Sequence, residues 1–490
     1  MGAPTPGGAL NNLPTRLAGP LAFAAVLLAP LPDLSPPAHR TLAVLAWMVV
    51  WWITEAVPLA AASLLPLVLF PVLGVASAKE AAAPYANDLI FLFLGGFCLA
   101  AALQRWGSHE RLAYALVART GGRGPAVVLA VMAATAFVSM WISNTATAAM
   151  MYPIALALCA RFDTGPGGDR TRTALMLGVA YAASIGGMAT LVGTPPNLIF
   201  AAQAEALAGR RVGFGEFLAV GLPLTLVLLP ACWALLVFGL FRAPAARLAP
   251  EALAAIQARR RALGRIEGGE RRVLAVFGLT ALAWLAREPK ALGALRLPGL
   301  TDLAPGISDS AIAIGAAVVL FGLRGRDRSG RSRPLLAWED AVRIPWDVLV
   351  LFGGGLSLAA ALEATGLIAW LGARLHLLGG LPPLLVATAL ALAVLGLSEL
   401  ASNTAVAAMA MPLAASLAPA TGEVPVRLML VACFAASTGF ALPVATPPNA
   451  IVFGSGHVTA RQMLRAGLVL DLVAVTAIVA GLRLWGRVLE

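Results

Sequence analysis

The chain has 490 residues, 60% hydrophobic and 12% charged, with a formal net charge of +11. A soluble domain carries roughly 45–50% apolar and about 25% charged residues, so this balance excludes an ordinary soluble protein. The apolar residues come in continuous blocks of the length that crosses a ~30 Å hydrocarbon layer as a helix, and the lack of alternation excludes a barrel.

The first block, Leu17 to Leu31, follows Arg16. It has no small-residue cleavage site leading into a polar mature domain, so it reads as helix 1 rather than a signal peptide. Residues 1–38 form this N-terminal segment. Further spans are expected near 41–57, 59–74 and 88–104. The block at 125–160 is too long for one helix and carries Ser143-Asn144-Thr145 in its middle. It reads as a re-entrant hairpin with the polar tripeptide at its turn. Spans at 173–208 and 216–241 complete a unit of residues 39–242.

A basic linker, 243–271, comes next. From Arg242 to Arg272 there are eight arginines and three acids, and from Arg324 to Arg343 six arginines and three acids. Arg287 to Asp309, between them, is nearly balanced. The positive-inside rule puts both arginine-rich loops and the N-terminus in the cytoplasm. Arginine in short loops between spans argues against nucleic-acid binding. Arg210 and Arg211 fall on the expected outer side, as exceptions. Residues 272–490 form the second unit, with spans near 272–286, 308–323 and 347–363, a second hairpin at 382–418, and spans near 427–453 and 465–485.

The two units repeat. Ser143-Asn144-Thr145 recurs 259 residues later as Ser402-Asn403-Thr404, and DLIFLFLGGFCLAAALQRWG from Asp88 recurs at the same offset as DVLVLFGGGLSLAAALEATG from Asp347. Thr194-Pro195-Pro196-Asn197 recurs 252 residues later as Thr446-Pro447-Pro448-Asn449. Five true spans per unit is an odd number, so the second repeat is inverted relative to the first. With helix 1, the expected fold is an all-α polytopic membrane protein of eleven transmembrane helices plus two re-entrant hairpins.

Each motif has a chemistry. A tip gives hydroxyl, amide and free backbone N–H groups at a helix start, which attract anions. Paired prolines remove N–H donors and break a helix, freeing carbonyls that suit a hard cation such as Na+. Glu399, beside the second tip, is expected either to face a cavity or to serve as a structural partner; its repeat counterpart is Met140. Asp88 and Asp347 are expected to cap their helices. The single cysteines Cys98, Cys159, Cys232 and Cys433 have no metal or disulfide spacing and read as small buried hydrophobes.

The segments SMWISNTATAAMMYP, ASIGGMATLVGTPPN and FALPVATPPNAIVFGSG resemble the divalent anion:sodium symporter family, carriers of dicarboxylates, citrate and sulfate. The resemblance covers nearly the whole chain after helix 1. It implies a homodimer with a fixed scaffold and a transport domain that moves as an elevator. It implies a first Na+ site of Ser139, Ser143, Asn144 and the Gly193 carbonyl, and a second of Ser398, Asn403 and the Ala445 carbonyl. Ser398 stands where threonine is more usual, with the hydroxyl kept. The substrate would meet Ser143, Asn144, Thr145, Ser402, Asn403 and Thr404, with Thr194, Pro195, Thr446 and Pro447 close by.

The expected function is Na+-coupled symport of a C4-dicarboxylate across a bacterial inner membrane, with lipids and a second copy as partners. Exchange, H+ coupling through Glu399, and citrate or sulfate as substrate stay open within transport. A channel is a further alternative. An intramembrane hydrolase built on Ser143 or Ser402 would need a positioned base. No histidine lies near either tip in sequence, and no GxSxG pattern occurs. The chain is therefore not read as an enzyme.

Overall fold

The structure, a computed structural model, describes residues 13–162, 165–243, 247–266, 268–292, 295–327, 330–374 and 381–489. The first twelve residues of the N-terminal segment, three residues at the start of the basic linker and Arg328 lie outside them.

The described chain is mainly helical. By length and composition, five helices suffice to cross a membrane: Ala78–Arg105, Phe214–Leu240, Trp346–Ala364, Asn403–Thr421 and Ala460–Gly481. Shorter apolar helices accompany them, among them Leu13–Leu28, Gly124–Ser139, Asp309–Gly322 and Pro383–Ser398. Several expected spans are split, and the causes are local. The segment expected at 173–208 is a helix Pro166–Gly187, an irregular stretch, and a helix Pro195–Ala208 that starts on the Thr-Pro-Pro-Asn motif. Its repeat partner is Pro425–Ala436, then Pro447–Phe453. In both, the proline pair occupies the first helical turn, where a missing N–H costs nothing.

The two long polar-tipped blocks are helix–turn–helix units. The first runs Gly124–Ser139 and back through Asn144–Cys159, and the second Pro383–Ser398 and Asn403–Thr421. The returning helix of the second hairpin packs on Pro195–Ala208, and that of the first packs on Pro447–Phe453. Each tip's outgoing helix thus lies against the other repeat's broken helix.

Two expectations are corrected. Asp88 does not cap its helix; Asn87 does, accepting the Leu89 N–H at 3.0 Å, while Asp88 pairs with Arg211 at 2.5 Å. Asp347 stands in a first turn that follows Pro345, with no side-chain cap. Asn87 is the cap because its backbone is still extended while Asp88 is already helical, and its short side chain reaches the orphan donors. Two short antiparallel ribbons stand between the helices: Arg324–Arg326 pairs with Ser332–Pro334 in the second arginine-rich loop, and Lys290–Leu292 with Leu295–Leu297 in the balanced one. Between the span expected at 88–104 and the first hairpin lies an additional helix, Ser108–Val117. The basic linker folds as a helix, Pro250–Ala262, against it.

That docking rests on charge. Arg111 holds Glu270 with both ends of its fork, at 2.7 and 2.8 Å, and also donates to the Gly264 and Leu263 carbonyls. Arg210 pairs with Glu216, so Arg210 and Arg211 both have acidic partners. The four cysteines are free and buried, as their scattered positions imply.

Candidate functional site

Each tip is a short polar turn between two helices. At the first, Ser139 ends the inbound arm and Asn144 begins the returning one. The Ser139 hydroxyl lies 2.9 Å from Asn144 Oδ1 and 2.6 Å from the Ala183 carbonyl. At the second, the Ser398 hydroxyl lies 2.7 Å from Asn403 Oδ1 and 2.6 Å from the Ala436 carbonyl. Both serines are fully buried, whereas both asparagines keep partial exposure. The same three-oxygen cluster of hydroxyl, amide oxygen and carbonyl therefore stands at both tips. Hydroxyl, amide and carbonyl oxygens suit a hard cation.

The tips differ in capping. Ser143 accepts the Ala146 N–H at 3.4 Å, while Ser402 makes no side-chain cap bond. Thr145 is exposed and Ser143, Ser402 and Thr404 are half-buried, so hydroxyl groups remain accessible at both turns.

The breaks lie beside the tips. Thr194 and Thr446 take nearly equal extended conformations, with φ, ψ of −146°, 146° and −140°, 147°. Both threonines are buried, Pro195 is half-buried and Pro447 exposed. Gly187 and Gly193 are required by close approach: an added Cβ would stand 2.2 Å from Asn144 Oδ1 at the first and 2.4 Å from the Gly187 carbonyl at the second. The first tip thus touches its own break through Asn144 and Gly187. Ala445 is buried in the second break.

Sequence reasoning quoted the Thr-Pro-Pro-Asn motif but gave its last letter no role. The structure does. Asn197 Nδ2 donates to the Gly187 and Thr190 carbonyls at 2.8 and 2.7 Å. Asn449 Nδ2 donates to those of Gly439 and Leu442 at 3.2 and 2.9 Å. Asn197 bridges the last helical residue to the unwound stretch, Asn449 joins two carbonyls within the unwound stretch, and each satisfies carbonyls the break exposes. The signal was present, since all four letters repeat. Glu399 was left open and proves to be a structural partner: its carboxylate accepts the N–H groups of Ala441 and Leu442 at 2.8 and 2.9 Å.

The chain matches the sodium:sulfate symporter transmembrane region over residues 11–490. The chain belongs to the sodium:sulfate symporter family. Among its relatives is a Staphylococcus saprophyticus protein named sodium-dependent dicarboxylate transporter SdcS, 39% identical over 478 residues, covering 96% of this chain and 90% of the relative. The protein of the same name from Staphylococcus aureus strain RF122 is 38% identical over 469 residues, covering 94% and 88%.

Two solved transporters share the fold of this symporter-family chain at 14% identity. Neisseria gonorrhoeae MtrF, described among antimetabolite efflux pumps, has a TM-score of 0.56 and covers 94% of this chain and 97% of its own. The Alcanivorax borkumensis YdaH transporter has a TM-score of 0.50 and covers 92% and 98%. Family membership makes the chain an integral membrane transporter and not an enzyme.

Proposed function

We propose that this chain carries C4-dicarboxylates such as succinate, malate or fumarate, together with Na+, as a secondary active symporter. The paired Ser–Asn tips support this reading most directly: two oxygen clusters of the same make stand in two repeated turns. Ser139, Ser143, Asn144 and the Gly193 carbonyl would hold one Na+. Ser398, Asn403 and the Ala445 carbonyl would hold another. The dianion would lie between the tips, meeting Ser143, Asn144, Thr145, Ser402, Asn403 and Thr404, with Thr194-Pro195 and Thr446-Pro447 at its sides. The SdcS relatives, sodium-dependent dicarboxylate transporters by name, support the same substrate class and coupling ion.

Charge logic supports the coupling. Neither tip nor either Thr-Pro-Pro-Asn break contains Lys, Arg or His. A dianion away from water costs far more than hydroxyls and helix ends offset, so co-bound cations supply the balance. The architecture proposed with this function has eleven spans, two re-entrant hairpins, inverted repeats and a cytoplasmic N-terminus. It works as a homodimer whose hairpins move as an elevator in the bacterial inner membrane.

Radiolabelled succinate uptake into proteoliposomes tests the function. It should follow an inward Na+ gradient and compete with malate and fumarate but not with sulfate or citrate. Equal uptake in choline buffer would overturn Na+ coupling. Uptake that needs internal dicarboxylate would replace symport by exchange.

A further inference from the structure

The two tips are tied to their breaks at the same pair of repeat positions, by different chemistry. In the first half, the Thr190 hydroxyl donates to the backbone carbonyl of Met140. The repeat offsets, 259 for the tips and 252 for the breaks, carry Met140 onto Glu399 and Thr190 onto Leu442. The second half joins those same positions with a charged side chain. Glu399 Oε2 accepts the Leu442 N–H at 2.9 Å, and Oε1 accepts the Ala441 N–H at 2.8 Å.

A second carboxylate stands on the same turn. Asp471, on the long last helix, has Oδ1 at 3.4 Å from the Phe440 N–H. Its other oxygen is buried and has no donor. Glu399 is 7% exposed and Asp471 3%. Among the described residues neither is in a salt bridge. Past the breaks the two halves run at an offset of 246, with Val212 and Gly221 matching Val458 and Gly467, which carries Thr225 onto Asp471. The second half therefore buries two carboxylates where the first has a methionine and a threonine.

Such a pair is costly without a positive charge nearby, and three backbone N–H groups offset only part of that cost. Its place points to the missing charge. Glu399 follows Ser398, whose hydroxyl joins the oxygen cluster of the second tip. The turn that Glu399 grips runs within three residues to Ala445, whose carbonyl the sodium-symport reading gives to the second site. The carboxylate thus fixes a ligand-bearing strand of backbone and sets negative charge beside it.

We propose that Glu399, backed by Asp471, is a positioning residue of the second sodium site, and that it makes that site bind Na+ more tightly than the first. The inference rests on the sodium-symport reading and adds that the two sites are unequal. Supporting groups outside a metal's own ligands commonly change its affinity by about 10–100-fold.

The test compares wild type with Glu399→Gln, Asp471→Asn and Thr190→Val. The last removes the neutral tie of the first half. Two readouts are taken: the Na+ concentration for half-maximal succinate uptake, and the rise in unfolding temperature caused by NaCl over choline chloride without substrate. Glu399→Gln should raise the half-saturating Na+ about tenfold and blunt the Na+-induced thermal shift. The succinate KM at saturating Na+ should move far less. Asp471→Asn should act in the same direction, more weakly, and Thr190→Val should leave the higher-affinity Na+ response in place. A folded Glu399→Gln protein with wild-type Na+ affinity would overturn the proposal. If Glu399→Gln and Asp471→Asn both fail to give monodisperse protein, the pair is a fold requirement and the proposal also falls. Wild type with no response to Na+ in either readout would instead remove the symport reading beneath it.

Discussion

Asn144 and Asn403 make the same bond at the matching position of the two repeats: each offers its amide oxygen to the hydroxyl of the serine five residues earlier, at 2.9 and 2.7 Å. Each also begins the helix that leaves its tip, so the side chain stands where free backbone N–H groups are found. An amide can face both charges, its oxygen toward a cation and its N–H2 toward a carboxylate.

Asn144→Ala and Asn403→Ala are therefore expected to harm transport comparably. Losing a hydrogen bond to a charged group costs roughly 1.5–3 kcal/mol. At about 1.4 kcal/mol per decade, binding should weaken about 10- to 150-fold. Asp at either place should be worse for the anion than Ala. Succinate uptake kinetics at several Na+ concentrations check this, and one dead mutant beside one unaffected mutant would break the two-tip symmetry.

Gly187→Ala should abolish transport, because the new Cβ would meet Asn144 Oδ1 at 2.2 Å. Asn144 is half-buried, so its amide is the group that must give way and leave the Ser139 hydroxyl, and overpacking of this kind costs typically about 1–3 kcal/mol. Gly278→Ala is the control, since nothing lies within 4 Å of its Cβ position. It should keep full uptake and gain a little stability from helix propensity. Uptake and unfolding temperature, measured together, separate the two.

Much of this was legible in the sequence, for a physical reason. Proline pairs and polar tips interrupt an otherwise apolar chain, so the breaks and turns announce themselves, and duplication fixed their register. What escaped was contact between segments with no periodic signal. Glu399 meets Leu442 across 43 residues of sequence, and Arg111 meets Glu270 across 159. The helix Ser108–Val117 escaped because its apolar face is short and its composition mixed. The Asp88 cap was misread because Asn87, one residue earlier, holds the extended N-cap conformation and Asp88 is already the first helical residue.

Removing Arg111 tests the docking of the basic linker. Glu270 is only 5% exposed and loses both of its bonds in Arg111→Leu. Stripping one partner from a buried pair costs about 3–5 kcal/mol, and the partial exposure of Arg111 sets the expectation at the low end. Arg111→Leu/Glu270→Leu should recover much of the loss, because no unpaired charge stays behind. Thermal unfolding of the two single mutants and the double mutant in detergent gives the coupling, and additive losses would show the pair to be unimportant.

The elevator itself can be tested at Trp141 and Phe277. Trp141 lies two residues past the end of the first hairpin's inbound arm and two before Ser143, and Phe277 is on the helix Gly268–Leu285. Their rings meet edge to face with centroids 4.8 Å apart. If the hairpins carry substrate past a fixed scaffold, this contact must break once per cycle. A Trp141→Cys/Phe277→Cys pair, made after replacing the four native cysteines, should be joined by a short bifunctional thiol reagent. Cross-linking should then stop succinate uptake, and a cleavable linker should restore it on reduction. Substrate should still protect the tips from thiol labelling in the locked protein, because binding precedes movement. Each single-cysteine protein, treated the same way, controls for modification alone. Full uptake through a completely cross-linked pair would mean that the hairpin does not move against this helix, and the elevator would have to be abandoned.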